Sequence, residues 1–257
     1  MIQLESAGRT NAGKKRESNE DAYRIDDENR YYLVADGVGG HLSGEVASGI
    51  VVDTFKDYIK NITVEDFFET DDTLCKEGKR LMALIHKANE LVYKRSSEDK
   101  NCRGMGTTVS AICFSDSTLV SANVGDSPTY LIRNNEAELI SFIHNVESDR
   151  ASIDSESIKS FGPIVLKMLS RAIGAAEDVS PDAREIPCFA GDKVVICSDG
   201  LSNLVDPHEI AEKVTDNIPE DACQILVDLA NERGGMDNIT VIVIEIKSVE
   251  TKGDMVF

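Results

Sequence analysis

Four short apolar segments of this 257-residue chain each meet an aspartate at one end, and this pattern limits the possible folds more than any other feature. The aspartates are Asp36 after YYLVA, Asp126 after SANVG, Asp199 after VVICS and Asp237 before NITVIV. Short apolar runs bounded by turn residues are typical of buried strands, so each carboxylate is predicted to lie at a strand end. A fifth acidic position, Glu20-Asp21, precedes the strand-like segment AYRI. Carboxylates at converging strand ends repel one another unless a cation neutralises them.

Two interpretations of these acidic positions compete. Each aspartate alone is better explained as the start of a turn, because Asp-Gly is a strong turn signal. All five positions together favour a metal site, since no lysine or arginine stands beside them. Oxygen ligands suit Mg²⁺, Mn²⁺ or Ca²⁺. The sequence has no DxDxDG loop of an EF-hand, and its four isolated histidines and unpaired cysteines do not form a Zn²⁺ motif.

The glycine-rich segment 36–45 lies between a strand pattern and a helix pattern, which is also the context of a phosphate-binding loop. However, Gly44 is followed by Glu45 instead of the Lys-Ser/Thr of a P-loop, and Leu42 occupies the third glycine position of a dinucleotide fingerprint. We expect the glycines to bring the backbone close to a metal, with the Gly37 carbonyl as a ligand. The motifs of cysteine-dependent, aspartyl-phosphate and Ser-His-Asp hydrolases are absent from the sequence, which leaves hydrolysis by metal-activated water.

Strand patterns and helix patterns alternate along the chain without a fixed repeat. The spacing of apolar residues predicts helices over 45–59, 73–96, 207–214 and 220–232. Strands are predicted over 31–35, 193–197 and 239–246, together with an antiparallel meander of four strands over 107–142. The polar stretch 145–168 is predicted to be an insertion, and the residues after Lys247 a frayed tail. These patterns predict an α+β sandwich, not a doubly wound parallel sheet.

Charge and cysteine content restrict the expected partners and compartment. A net charge of −19 makes nucleic acid and anionic membranes poor partners, because both carry negative charge. Six scattered cysteines without a CxxC pair are typical of a reducing compartment. The sequence begins with a polar segment, and no stretch approaches the ~20 apolar residues of a membrane span. We therefore expect a cytoplasmic protein that binds neither nucleic acid nor membrane.

Seven motifs follow one another in order over almost the whole chain. They are RxxNED from Arg16, ADGVGGHLSGEVAS from Ala35, GMGTT at 104–108, NVGDS at 123–127, LSRAIG at 169–174, GDKVVICSDGL at 191–201 and GGMDNITVIV at 234–243. Together they resemble the PPM family, the type 2C metal-dependent serine/threonine protein phosphatases, and especially its small bacterial members. The resemblance implies a four-layer αββα sandwich with a metal centre between two antiparallel sheets. It also implies one phosphatase domain over 1–246, with a flap at about 145–168, and a C-terminal tail over 247–257.

The same resemblance implies a role for each acidic position and predicts two Mg²⁺ or Mn²⁺ ions, with the option of a third. Asp36 is expected to bridge the two metals. Asp199 and Asp237 are expected to complete one metal site, and Glu20 with the Gly37 carbonyl the other. Asp126, together with Asp199, is expected to hold the third ion.

Three further residues receive roles from the resemblance. Arg16 is expected to bind the substrate phosphate, because a guanidinium group matches phosphate oxygens. Without the NED that follows, Arg16 would be interpreted as part of a solvated basic run with Lys14 and Lys15. Asp21 is expected to orient water at the metals, and Asn238 to support the metal ligands from behind.

The chain departs from the family pattern at several places. Val38 stands where some relatives carry a histidine that can act as general acid, so the proton donor stays open. Pro128 replaces the arginine that usually follows GDS. The segment FIHNVES at 142–148 replaces an expected Thr-x-Asp-His-Ser, and the flap sequence is also unusual. Substrate preference therefore does not carry over from the family.

The resemblance predicts hydrolysis of phosphoserine and phosphothreonine in proteins by water activated between two metal ions. Arg16, Asp36, Asp199 and Asp237 are predicted to carry the catalysis. The expected partners are phosphoproteins, those of a serine/threonine kinase above all, and the protein is expected to be a monomer. The alternative is a catalytically inactive pseudophosphatase that acts as a binding or signalling module, although such a protein is expected to lose acidic ligands. A divalent-cation buffer would explain the carboxylates but not Arg16.

Overall fold

Two antiparallel sheets form the centre of the computed structural model, which describes residues 2–38, 43–63, 73–149 and 168–249. The strands are β1 (Ile2–Asn11), β2 (Asp21–Asp26), β3 (Tyr31–Val38), β4 (Gly106–Thr107), β5 (Val109–Ser115), β6 (Thr118–Val124), β7 (Thr129–Arg133), β8 (Glu136–Leu139), β9 (Asp182–Pro187), β10 (Lys193–Cys197) and β11 (Ile239–Val249). The first sheet has the order β1-β11-β10-β7-β8. The second has the order β2-β3-β5-β6-β9, and the short β4 pairs with β3.

Helices cover the outer face of each sheet. They are α1 (Ser43–Tyr58), α2 (Lys76–Glu98), α3 (Asp199–Ser202), α4 (Pro207–Thr215) and α5 (Pro219–Glu232). Phe55 of α1 and Leu81 of α2 pack with Leu33 of the second sheet, while Ile210 of α4 and Leu226 of α5 pack against the first sheet. The predicted αββα sandwich is confirmed.

The alternation of side chains along each strand explains why both faces of the sheets are apolar. In β3, Leu33 points toward the helices, whereas Tyr32 and Val34 belong to the layer between the sheets. Leu131 and Ile196 of the first sheet join that inner layer and are almost completely buried. A strand buried on both faces therefore has a continuous apolar sequence, such as YYLVA.

The four predicted helices are present, with ends that follow local capping signals. Asp206 caps α4 through its side chain, which accepts hydrogen bonds from the backbone N–H groups of His208 and Glu209. Proline opens both α4 and α5, where the missing N–H has no helical partner to lose. The second predicted helix begins at Lys76, three residues later than predicted, because the Cys75 sulfur accepts from Gly78 N and caps it there.

The prediction of a single four-stranded meander over 107–142 is wrong. Strands β5 and β6 pair within the second sheet, whereas β7 and β8 pair within the first. The chain changes sheets at the NVGDSP segment, where Gly125 adopts φ +106° and Pro128 cannot donate to a strand ladder. A side chain on Gly125 would overlap Thr108, so glycine is needed at this crossing. The last strand, β8, also ends at Leu139 and not at Phe142.

Strands β1 and β9 were not predicted, and both β3 and β11 are longer than predicted. The polar segment β1 pairs along its whole length with β11, which continues to Val249 instead of ending at Ile246. Strand β9 pairs with β6 at the edge of the second sheet. Both missed segments have mixed, half-buried sequences, so their position beside an apolar neighbour decides their conformation.

The predicted flap lies mainly outside the described residues. At its borders, Asn145 forms an isolated bridge with Leu169, so the two ends of the insertion meet. The predicted tail boundary at 246–247 falls inside β11, where Lys247 forms ion pairs with Glu5 and Glu245. Within the residues described here, no helix has both the length and the apolar character needed to cross a membrane.

The inner apolar layer should dominate the stability of the fold. Leu131 is buried between the sheets, and Leu139 on β8 is 41% exposed. We expect Leu131→Ala to lower the free energy of unfolding by about 2–5 kcal/mol, because it leaves a cavity. The matched change Leu139→Ala should cost about 0.5 kcal/mol or less. Urea unfolding followed by circular dichroism measures both, and similar losses for the two variants would contradict this account of the core.

Candidate active site

A cavity of about 280 Å³ opens where ends of strands from the two sheets meet, and it brings nearly all of the predicted site residues together. It is lined by Arg16, Glu20, Asp36, Gly37, Val38, Thr108, Asp126, Leu169, Asp199, Asp237 and Asn238. Asp21 is the one predicted site residue that does not line the cavity. Val38, Thr108 and Leu169 had no predicted role, although each lies in or beside a motif that the sequence displays.

Asp36 is held near the end of β3 by two threonines of the GMGTT motif. Its backbone N–H donates to the Thr108 hydroxyl over 3.0 Å, and its carbonyl accepts from the Thr108 N–H and the Thr107 hydroxyl, each over 2.8 Å. Burial, followed by the negative charges of Asp21 and the other carboxylates, raises the pKa of Asp36 well above its usual value. The fold therefore holds this carboxylate where its charge is costly.

Asp21 lies beside Asp36, because the two residues are cross-strand partners in the β2–β3 ladder. Its Oδ2 accepts hydrogen bonds from the hydroxyls of Ser198 (2.8 Å) and Thr240 (2.6 Å). Burial raises the pKa of Asp21 to about 6, although these two bonds act in the opposite direction. No group in the described part of the chain hydrogen-bonds its buried Oδ1, so this oxygen has the free lone pairs that a bound water needs.

Asp199 and Asp237 come from adjacent strands of the first sheet. Asp199 opens α3 directly after β10, and its Oδ2 accepts from the Asn203 side chain over 3.1 Å. Asp237 stands just before β11, and its Oδ1 accepts from the Asn238 N–H over 2.9 Å. A side chain on Gly200 would overlap the Asn238 carbonyl oxygen, so glycine in SDGL permits this close approach.

Asn238 positions the loop that carries Glu20. Its side-chain oxygen accepts from the Glu20 N–H over 2.9 Å, and its amide nitrogen donates to the carbonyls of Ala12 (3.0 Å) and Ser18 (2.9 Å). Gly37 then donates its N–H to the Glu20 carbonyl over 3.2 Å. A side chain on Gly37 would overlap the Gly44 carbonyl, so the glycine of ADG also serves close packing.

Asp126 lies in the segment that crosses between the sheets. The neighbouring Ser127 hydroxyl is 2.8 Å from the Thr108 hydroxyl, which itself bonds the backbone of Asp36. Thr108 therefore connects the Asp36 and Asp126 segments. This contact explains why a hydroxyl side chain stands at the last position of the GMGTT motif. The sequence displayed the motif but could not show which segments it joins.

Arg16 lies at the rim of the cavity and forms an ion pair with Asp237. The distance from Arg16 Nη2 to Asp237 Oδ2 is 2.7 Å, and the arginine side chain is 55% exposed. The hydrogen bond to Asp237, followed by its charge and by Glu20 and Asp36, raises the pKa of Arg16. A guanidinium group is thus present beside the carboxylates, where it could bind an incoming anion by leaving Asp237.

Sequence reasoning missed a second polar network, formed by His144, Asp182 and Arg171. His144 is buried, and its Nδ1 accepts from the Gly125 N–H over 3.1 Å, so the proton of the neutral ring is on Nε2. The Nε2 atom lies 2.8 Å from Asp182 Oδ2, which also accepts from Arg171 over 2.7 Å. Burial is the main cause that lowers the pKa of His144. Each histidine stood alone in the sequence, so no local pattern could reveal this network.

The donor chemistry of the cavity fits hard divalent cations. Its acidic side chains offer only oxygen, and Asp36 and Asp21 are buried carboxylates with raised pKa values. Among the described residues, no three acidic, histidine or cysteine side chains already form a group able to hold an ion. Asp237 is instead held by Arg16. The cavity therefore gathers oxygen donors of the kind that hard divalent cations prefer.

Comparisons with known proteins agree with this architecture. The chain is 32% identical to the serine/threonine phosphatase stp of Listeria monocytogenes over 245 residues, which cover 92% of this chain and 94% of that protein. The crystal structure of the Mycobacterium tuberculosis serine/threonine phosphatase PstP/Ppp matches with a TM-score of 0.80 and 30% identity over 96% of this chain and 100% of that one. The catalytic domain of PstP in complex with two manganese ions matches with a TM-score of 0.78 and 30% identity, again over 96% and 100% of the two chains.

A family model gives the family of the chain, because its match spans most of the described residues. The model for protein phosphatase 2C matches residues 7–239, a range that begins in β1 and ends at the first residue of β11. Every residue that lines the cavity falls inside this range. The chain therefore belongs to the protein phosphatase 2C family.

Proposed function

We propose that this chain, a protein-serine/threonine phosphatase of the 2C family, dephosphorylates phosphoserine and phosphothreonine in proteins at the cavity around Asp36. The observation that carries the proposal is the burial of Asp36 among carboxylates whose charges raise its pKa, with the Arg16 guanidinium at the rim. Such a site is costly unless cations occupy it, and with cations it attracts a phosphate group.

The metal ligands proposed here are the oxygens that line the cavity. Asp36, Asp199 and Asp237 would hold one Mg²⁺ or Mn²⁺ ion, and Asp36, Glu20 and the Gly37 carbonyl would hold a second. Asp126, together with Asp199, is the candidate for a third ion. When bound, such ions supply positive charge for the transferred phosphoryl group and lower the pKa of water so that it can attack phosphorus.

Three further residues of the site hold the proposed ligands or a water molecule in position. Thr108 fixes the backbone of Asp36, and Asn238 fixes that of Glu20. Asp21 has one oxygen bonded to Ser198 and Thr240, and its other oxygen can hold and orient a water molecule.

Arg16 is the proposed phosphate-binding residue. Its planar guanidinium group can donate two parallel hydrogen bonds to a phosphate, and its present partner Asp237 is one of the proposed metal ligands. Substrate binding would thus move Arg16 from the Asp237 carboxylate to the phosphate, which would leave Asp237 available as a metal ligand.

The physiological setting proposed for this chemistry is the cytoplasm. The phosphoprotein substrates would be products of a serine/threonine kinase, and the enzyme would act as a monomer. The net charge of −19 supports partners other than nucleic acid and anionic membranes. The proposed catalytic unit is the domain predicted over 1–246, extended to the end of β11 at Val249, and it includes the flap at about 145–168.

Removal of one proposed ligand should abolish activity. Asp199→Asn should lower the turnover of para-nitrophenyl phosphate in a Mn²⁺ titration by more than about 100-fold, since even outer partners of metal ligands cost 10–100-fold. Asp228→Asn, on the exposed face of α5, is the matched control and should retain activity. If the unmodified protein is folded but shows no turnover at any Mn²⁺ concentration, the enzyme proposal is contradicted and the inactive pseudophosphatase is favoured.

Asp36→Asn should raise the stability of the metal-free protein and at the same time abolish its activity. Because burial and then the neighbouring carboxylates raise the pKa of Asp36, a neutral amide removes both the cost of burying a charge and the repulsion from the metal-free fold. We expect the metal-free variant to melt higher than the metal-free parent, by about 2–4 °C for each kcal/mol of repulsion removed. Mn²⁺ at 100 times its dissociation constant should stabilise the parent by about 2.7 kcal/mol.

The variant should lose this Mn²⁺ effect together with its activity. Differential scanning calorimetry with and without Mn²⁺ measures both quantities, and Asp228→Asn again serves as the control. An Asp36→Asn protein that melts below the parent and keeps the full Mn²⁺ effect would contradict the proposed metal ligand.

Arg16→Lys tests phosphate binding. We expect kcat/KM for a phosphothreonine peptide to fall about 10–100-fold, since a hydrogen bond to a charged group contributes ~1.5–3 kcal/mol and lysine cannot bind in the same paired geometry. Mn²⁺ should bind at least as tightly as before, because the shorter lysine side chain holds Asp237 less firmly than Arg16 does. Arg9→Lys, at a surface ion pair with Glu220, is the matched control. Weaker Mn²⁺ binding with unchanged kcat/KM would oppose this role.

A further inference from the structure

A second groove, of about 220 Å³, lies directly beside the active-site cavity. We name it the flanking groove. Its polar part is formed by Asp126 and Asp199, shared with the active-site cavity, and by Asn145, Glu147, Ser202 and Asn203, and its apolar part by Pro128, Tyr130, Leu139 and Ile143. No step of the proposed reaction uses the last four residues. Their side chains are apolar or aromatic, in contrast to the acidic lining of the cavity next to them.

The apolar wall of the flanking groove is built by paired strands. Tyr130 and Leu139 are cross-strand partners in the β7–β8 ladder, so their side chains lie next to each other on one face of the sheet. Tyr130 is nearly buried, while Leu139 remains 41% exposed at the edge of the sheet. Because the groove joins the active-site cavity, the exposed part of Leu139 is accessible to a ligand that occupies that cavity.

The segment that carries Ile143 is hydrogen-bonded to the end of β6. The Asn123 amide nitrogen donates to the Phe142 carbonyl over 2.5 Å, and the Asn123 side-chain oxygen accepts from the Phe142 N–H over 2.9 Å. The His144 N–H donates to the Gly125 carbonyl over 3.0 Å. Ile143 therefore stands between two tethered residues, and its position is set before any ligand arrives. A preformed wall lowers the entropic cost of binding.

We propose that the flanking groove binds an apolar side chain of the phosphoprotein substrate, from a residue within a few positions of the phosphorylated serine or threonine. This inference rests on the proposed function, because it needs the phosphate to enter the cavity around Asp36. An extended chain advances about 3.3–3.6 Å per residue, so a neighbouring residue reaches a groove that shares two lining residues with the cavity.

The charge around the flanking groove indicates which substrates it rejects. Asp126 and Asp199 lie at its inner end, and Glu147 also lines it. An acidic side chain placed here would meet the carboxylate of Glu147, whereas an apolar side chain would cover Leu139 and Ile143. The groove therefore favours an aliphatic residue and disfavours aspartate or glutamate at one position of the substrate.

The test uses phosphothreonine peptides in an alanine background, with a single leucine moved from three residues before to three residues after the phosphothreonine. We expect one position at which leucine raises kcat/KM about tenfold over alanine, and at which aspartate lowers it, as for side chains in an apolar pocket. In the Leu139→Ala variant, the ratio of kcat/KM for the leucine peptide to that for the alanine peptide should fall toward one. Ile218→Ala, at an exposed isoleucine before α5, should keep the ratio.

Leu139→Lys is a second variant, and its readout is improved turnover of the aspartate peptide. It should reverse the preference at the same position, so that the aspartate peptide becomes better than the leucine peptide, and a misfolded protein cannot produce this gain. Absence of a leucine effect at every position, or the same effect in Leu139→Ala, overturns the flanking-groove proposal.

The two proposals fail in different ways. Para-nitrophenyl phosphate carries no flanking residues, so its turnover reports the chemistry at Asp36 alone. Turnover of this compound without any leucine preference overturns only the flanking groove. No turnover of this compound or of any peptide in the presence of Mn²⁺ overturns the proposed function, and the inference that rests on it.

Discussion

The apolar layer between the two sheets is the interaction on which the rest of the molecule depends. Tyr32 and Val34 of one sheet pack against Leu131 and Ile196 of the other, with almost no exposure to solvent. Because these contacts fix the distance between the sheets, they also fix the distance between the strand ends at the edge of the layer. The cavity opens at this edge, and its shape follows from the packing behind it.

The packing brings carboxylates together that would separate in a flexible chain. Asp21 and Asp36 are neighbours in one ladder, and Asp199 and Asp237 reach them from the other sheet. Their repulsion and burial oppose folding, which is seen in the raised pKa values of Asp36 and Asp21. The hydrophobic layer offsets this cost in the metal-free protein, and bound cations would convert it into affinity for metal and phosphate.

Polar contacts that carry no chemistry of their own set the finer geometry. Thr108 joins Asp36 to the Asp126 segment, and Asn238 joins Glu20 to the start of β11. His144 holds the segment after Gly125 and, through Asp182, the edge strand β9. The same tethers that place Asp126 in the cavity also place Ile143 in the flanking groove, so one set of bonds shapes the acidic and the apolar parts of the surface.

The sequence by itself determined the chemistry and most of the elements. Apolar runs ending in aspartate predicted strand ends and oxygen ligands, because burial and charge leave a local record in residue type. The sheet change at Gly125, the strands β1 and β9, and the His144–Asp182–Arg171 network were decided by the tertiary structure alone. A half-polar strand takes its conformation from its neighbour, and a hydrogen bond between residues 38 positions apart leaves no periodic pattern. Residue types therefore state which groups can react, and only packing decides which of them meet.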